Sequence, residues 1–287
     1  MISFNNKWLV FLLAAVILIT GCSSTNEVKT KDTKQDGIEQ ANAKVEEQTA
    51  KTEDEATSQT PSEENESAVQ QVEPVTIVID PGHQQKANLE QEPIGPGATE
   101  TKIKVTGGTT GISTGKPEYV LTLEASKVLG EILEEKGYEV VYTRTTHDVN
   151  MSNKERAEIA NKHQADLFIR MHADGSTNSS VKGFSILTIS NKNPYAGQIY
   201  GNSLQAANLI LDEVQKDGKI KVNGISYRDD MSGLNWSSVP VVLIEMGFMT
   251  NPEEDKNLSD PTYLQYLMEL ISNGIEIYEN GNTSSEQ

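Results

Sequence analysis

Two histidines and a glutamate stand where short apolar runs of the sequence stop. Val75-Thr76-Ile77-Val78-Ile79-Asp80 is β-branched and closes at Pro81-Gly82, with His83 directly after it. Leu167-Phe168-Ile169-Arg170-Met171 runs into His172, and Val241-Val242-Leu243-Ile244 into Glu245. Two imidazoles and a carboxylate are a common set for a zinc ion that keeps one position open for water. The chain has only four histidines, so a histidine-dependent site can be searched in full. His147 lies in the polar stretch Thr145-Thr146-His147-Asp148 and reads as solvated. His163 follows Ile159 by four and Ala160 by three, on the apolar face of a helical pattern, and reads as packed rather than ligating. His83 and His172 differ because an idle polar ring is less expected directly after a buried strand.

Residues so far apart in sequence converge only if their strands lie side by side and point the same way. The rest of the pattern supplies that arrangement. Pro117 opens a helical segment in which Leu121, Ala125, Val128 and Ile132 repeat at helical spacing, closed by Lys136-Gly137. A strand Glu139–Thr143, a helix around Lys154–His163, a strand near Phe184–Ile189, a helix near Tyr195–Gln215 and a helix begun by Asp260-Pro261 complete the reading. Strands alternating with helices imply an α/β fold: one domain over residues 74–280, with a mostly parallel twisted sheet covered by helices on both faces. In such sheets ligands bind beyond the carboxyl ends of the strands, where His83, His172 and Glu245 stand.

These residues also carry a resemblance. Ile79-Asp80-Pro81-Gly82-His83, then Pro117-Glu118-Tyr119, then Arg156 with Ala160-Asn161, then Ala165–Asp174, then Pro240–Pro252 resemble in order the signatures of zinc-dependent N-acetylmuramoyl-L-alanine amidases. The likeness spans about Val75 to Tyr278. It implies hydrolysis of the amide between N-acetylmuramic acid and L-alanine in peptidoglycan. It further implies that His83, Glu118 and His172 hold one zinc ion and that Glu245 is the catalytic carboxylate. Glu90, Glu92, Glu100 and Glu124 compete with Glu118. The first turn of a helix holds a ligand rigidly and favours negative charge, which supports Glu118.

Two departures stand out. The 34 residues between His83 and Glu118 form a longer connection than the family often has. Gln84–Lys116 is rich in Gly, Thr and Pro and reads as a long loop, either covering a substrate groove or regulating access to it. The second departure is Asp174, where the family frequently has asparagine. Its carboxylate adds negative potential near the metal.

The N-terminus and the charge balance bear on location. The apolar run Trp8–Ile19 has the length of a secretory signal, and Ile19-Thr20-Gly21-Cys22 resembles a bacterial lipobox. Residues 1–21 then form a lipoprotein signal peptide, and Cys22 carries the lipid. This single cysteine excludes an intrachain disulfide and a cysteine metal cluster. Ser23–Glu73 holds thirteen acids, five bases and no aromatic residue, so residues 22–73 read as a disordered acidic tether of about 40 Å mean span. Residues 281–287 read as a disordered tail. The net charge of −18 argues against a nucleic-acid partner. The expected setting is the outer face of a bacterial membrane, facing the wall, with peptidoglycan as partner; the sequence identifies no activator protein. Another zinc hydrolase of wall peptides and a metal-free wall-binding scaffold remain as rivals.

Overall fold

A computed structural model describes residues 74–216 and 218–283. The segments read as a signal peptide (1–21) and a tether (22–73), Cys22 included, and residues 284–287 lie outside the described residues. The central sheet contains β1 (Thr76–Pro81), β4 (Glu139–Tyr142), β5 (Leu167–Asp174), β6 (Phe184–Thr188), β7 (Val222–Tyr227) and β8 (Val241–Phe248) in the order β4-β1-β5-β8-β6-β7. Only the β8–β6 pairing is antiparallel; the other four are parallel. The expected α/β fold with a mostly parallel sheet is therefore observed.

Continuous apolar strands need cover on both faces. Ile77, Ile79 and Ile169 pack in one core with Leu121 and Leu129 of α1 (Glu118–Glu135), Ile210 of α3 (Tyr200–Gln215) and Ile271 of α6 (Pro261–Thr283). On the other face, Val78, Phe168 and Leu243 pack with Ala157 and Ala160 of α2 (Asn153–Lys162) and Leu234 of α4 (Ser232–Asn235). α1 stops at Gly137, whose φ of +90° provides a left-handed exit. Ser152 and Glu155 form a capping box at the start of α2.

The connection Gln84–Lys116 departs from expectation. It contains an antiparallel hairpin of β2 (Asn88–Pro93) and β3 (Thr101–Val105). Tertiary contacts fix these polar strands: buried Glu92 accepts the Lys154 N–H at the start of α2, and Asn153 Nδ2 donates to the Lys104 carbonyl at 2.8 Å. Trp236 Nε1 donates to the Pro93 carbonyl at 2.8 Å.

His163 also departs from its reading. α2 ends at Lys162, so His163 becomes an exposed C-terminal cap instead of packing. His147 is half-buried rather than solvated, its ring in a T-shaped pair with Tyr119 at 5.2 Å between centroids. Helix α6 extends to Thr283, into the stretch read as a tail. β7, α4 and α5 (Pro252–Ser259) were not read from the sequence.

Candidate active site

Strands β1, β5 and β8 are consecutive and parallel, so their carboxyl ends meet. Pro81 pairs with Met171, and His172 pairs with Glu245. Parallel partners share a sheet face, and this register puts the Glu245 and His172 side chains beside each other. Both residues lie inside strands that run farther than the apolar runs suggested, with a register irregularity between His172 and Asp174. Such bulges re-aim side chains at sheet ends.

His83 occupies the left-handed region at φ 60°, a costly conformation for a residue with a Cβ. Its backbone is pinned. Arg156 donates to the carbonyls of Pro81 at 2.8 Å and His83 at 3.0 Å, and Arg144 donates to those of Pro81 at 2.8 Å and Gly82 at 3.0 Å. Arg156 and Arg170 in turn bind the fully buried Asp80 at 2.8 and 2.9 Å. Burial alone would raise the Asp80 carboxyl; the two guanidinium charges outweigh it and hold the group below its usual range.

Three donor atoms face one another beyond the strands. His83 Nε2 lies 3.1 Å from Glu118 Oε1 and 3.1 Å from His172 Nδ1, and His172 Nδ1 lies 3.2 Å from Glu118 Oε1. Glu118 is 3 % exposed. The backbone N–H of Thr109 holds its Oε2 at 2.8 Å, and that of Ala173 reaches Oε1 at 3.1 Å. The ring of His83 is turned by its other nitrogen, which meets the Thr106 carbonyl at 3.0 Å. When Nδ1 carries that proton, the Nε2 lone pair points into the triangle. Burial pushes His172 down to about 4, which keeps it in the neutral form that ligates.

A cation fits this set. Imidazole lone pairs and a carboxylate pointed at one another repel unless positive charge sits between them. Donors at 2.0–2.1 Å around a tetrahedral zinc are about 3.3–3.4 Å apart, close to the triangle observed. The competing glutamates are engaged elsewhere or exposed: Glu92 at α2, Glu90 on Lys104, Glu124 on Lys116, and Glu100 in solvent.

Glu245 lies beside the triangle, one carboxylate oxygen shut off from solvent with no hydrogen-bond partner. Burial first, and then the negative charges of Glu118 and Asp174, raise its carboxyl well above the usual range. A cleft of about 590 Å³ opens over these groups. Lys102 and Ile103 of the hairpin form one wall, and Arg228 and Met231 line it as well. The Thr106 carbonyl and the Thr109 N–H have no side-chain signature in the sequence. Arg144 and Arg170 were also missed, although Arg170, inside an apolar strand, carries the signal of a buried ion pair.

A family model described as N-acetylmuramoyl-L-alanine amidase matches residues 77–277. N-acetylmuramoyl-L-alanine amidase AmiA of Salmonella typhimurium is 30% identical over 200 residues, covering 57% of this chain and 69% of that protein. N-acetylmuramoyl-L-alanine amidase Rv3717 of Mycobacterium tuberculosis is 30% identical over 189 residues, covering 63% and 76%. The crystal structure of the N-acetylmuramyl-L-alanine amidase Ami1 from Mycobacterium smegmatis superposes with a TM-score of 0.65 at 27% identity, covering 72% of this chain and 97% of that one. With most of the described domain matched and the triangle seated at its sheet edge, this chain belongs to the N-acetylmuramoyl-L-alanine amidase family.

Proposed function

We propose that this amidase works through one zinc ion held by His83, Glu118 and His172, with Glu245 carrying the proton. The bond it hydrolyses is the amide between N-acetylmuramic acid and L-alanine in peptidoglycan. The observation that supports this route most is the donor triangle of 3.1–3.2 Å with Glu245 in register beside it. Zinc bound there supplies a Lewis acid for the scissile carbonyl and a water with its pKa lowered to about 7.

This chain's residues do the rest. Ionised Glu245 accepts a proton from the attacking water as its oxygen adds to the carbonyl carbon. When the carbon–nitrogen bond breaks, Glu245 returns the proton to the leaving nitrogen of L-alanine. The products are a muramic acid carboxylate and a stem peptide with a free amino terminus. Burial makes the Glu245 carboxyl less acidic and the bound cation would oppose that shift, so the group can be ionised to take the proton and still give it to an amine.

Mass spectrometry of peptidoglycan digested with the purified protein tests the reading. Free stem peptides beginning with L-alanine are expected. Shortened stems or altered sugars would assign another hydrolase, and unchanged wall would assign a scaffold.

We further infer that Cys22 is lipidated and tethers the domain to the outer face of the cell membrane. Support comes from the apolar run Trp8–Ile19, the lipobox-like ending and the acidic segment 22–73. Among the described residues no helix is long and apolar enough to cross a membrane. Labelling with a radioactive fatty acid should mark the wild type and not Cys22→Ser; label retained by the variant would sink the assignment.

A further inference from the structure

Residues 106–109, at the end of the hairpin, touch two of the three triangle residues at once. The Thr106 carbonyl meets His83 Nδ1 at 3.0 Å, and the Thr109 N–H donates to Glu118 Oε2 at 2.8 Å. The Glu118 N–H returns a bond to the Thr109 carbonyl at 3.0 Å. Gly108 passes between these contacts at φ +75°, and a Cβ there would lie 2.8 Å from Glu118 Oε2 and 3.0 Å from the His83 ring. The segment is anchored upstream by buried Val105 and by Asn153 on the Lys104 carbonyl.

We infer that residues 106–109 are the positioning clamp of the metal site, fixing the ring of His83 and the carboxylate of Glu118 so that Nε2 and Oε1 converge. This rests on the metal-dependent reading above. The chemistry requires such a clamp. A ligand histidine is oriented by a hydrogen bond to its other nitrogen, and a monodentate carboxylate by a donor on its second oxygen. His172, by contrast, is set by the sheet. The connection that the sequence left between a groove cover and an access gate thus acquires a third role, reaching the metal ligands mainly through backbone groups, with the Thr106 hydroxyl 3.3 Å from His83 Nδ1 beside them.

Zinc affinity of the full-length protein in detergent, measured by competition with a chromophoric chelator, tests the clamp. Gly108→Ala crowds both ligands, and Thr109→Pro deletes the N–H that holds Glu118. Gly97→Ala is the control: Gly97 has the same φ of +75° but open space where its Cβ would go. The zinc Kd is expected to rise about 10–100-fold in the first two variants and to stay at the wild-type value in the third. The metal-free melting temperature should fall in both Gly108→Ala and Gly97→Ala from the shared backbone strain, and further in Gly108→Ala, where the added Cβ also overpacks. Wild-type affinity in both clamp variants would overturn the inference alone, and a wild type that binds no zinc would overturn it together with the reading beneath it. If Gly108→Ala does not fold, Thr109→Pro decides. Failure of both to fold beside a folded Gly97→Ala would make the segment structural and overturn its positioning role.

Discussion

Gly82 separates β1 from His83, and its missing side chain is where His172 lies. A Cβ at this position would sit 2.4 Å from His172 Cε1, 2.5 Å from Nε2 and 2.6 Å from the Met171 carbonyl oxygen. Carbon contacts settle near 3.5–4.0 Å, so Gly82→Ala forces a displacement of about 1 Å. The Met171 carbonyl is the worse neighbour to move, because it accepts the Gly82 N–H at 2.9 Å within the sheet. The imidazole must therefore give way. Zinc sites hold their donor distances within about 0.2 Å, several times less than this shift. The zinc Kd should rise at least about 100-fold, equivalent to roughly 2.7 kcal/mol. Overpacking of this kind costs about 1–3 kcal/mol of stability, which for a domain of this size lowers the melting temperature by about 2–12 °C. Competition with a chelator measures the first effect, and thermal unfolding of the metal-free protein measures the second. A folded Gly82→Ala variant with wild-type zinc affinity would refute the reasoning, because a displaced His172 would then not matter to the metal.

Other perturbations separate the groups at the site. His83→Ala, Glu118→Ala and His172→Ala should each lose stoichiometric zinc by elemental analysis, whereas His147→Ala and His163→Ala should retain it; full occupancy in Glu118→Ala would move the third ligand elsewhere. The pH dependence of kcat/KM probes the charge around Glu245. The carboxylate works as a base only when ionised, so activity falls as pH drops through the pKa of the coupled Glu245 and metal-water pair. Asp174→Asn removes one of the negative charges that raise it, so the acid limb should move to lower pH; a limb that stays in place or rises would remove Asp174 from the site's electrostatics.

Much of this arrangement is written in local sequence. The apolar runs ending before Pro81 and at Met171 announce buried strands, and the position of a polar ring just after each was enough to single out His83 and His172. Glu245 followed by the same logic. Glu118 did not, because several acids precede and follow it, and only the resemblance and its place at a helix start chose it. What escaped is held by contacts distant in sequence. The strand Thr101-Lys102-Ile103-Lys104-Val105 does alternate polar and apolar residues, but its partner Asn88–Pro93 is charged, and both are held by α2 and Trp236 rather than by propensity. Asn251-Pro252-Glu253-Glu254 is a helix-start signal that would have revealed α5. β7 carries Gly224 at φ +96°, which weakens its strand pattern. The Asp80, Arg144, Arg156 and Arg170 network joins residues 62–90 apart in sequence, which no local pattern announces.

The central claim is that three residues hold the metal while a fourth moves the proton. Glu245→Gln tests it most directly, since the amide keeps the size of the side chain but accepts no proton in the working range. Zinc content and turnover on peptidoglycan are to be measured in the same preparation. The account predicts one zinc per chain and a rate reduced about 10²–10⁴-fold. A zinc-replete variant with near wild-type turnover would remove Glu245 as the proton carrier, and a zinc-free one would make it a ligand.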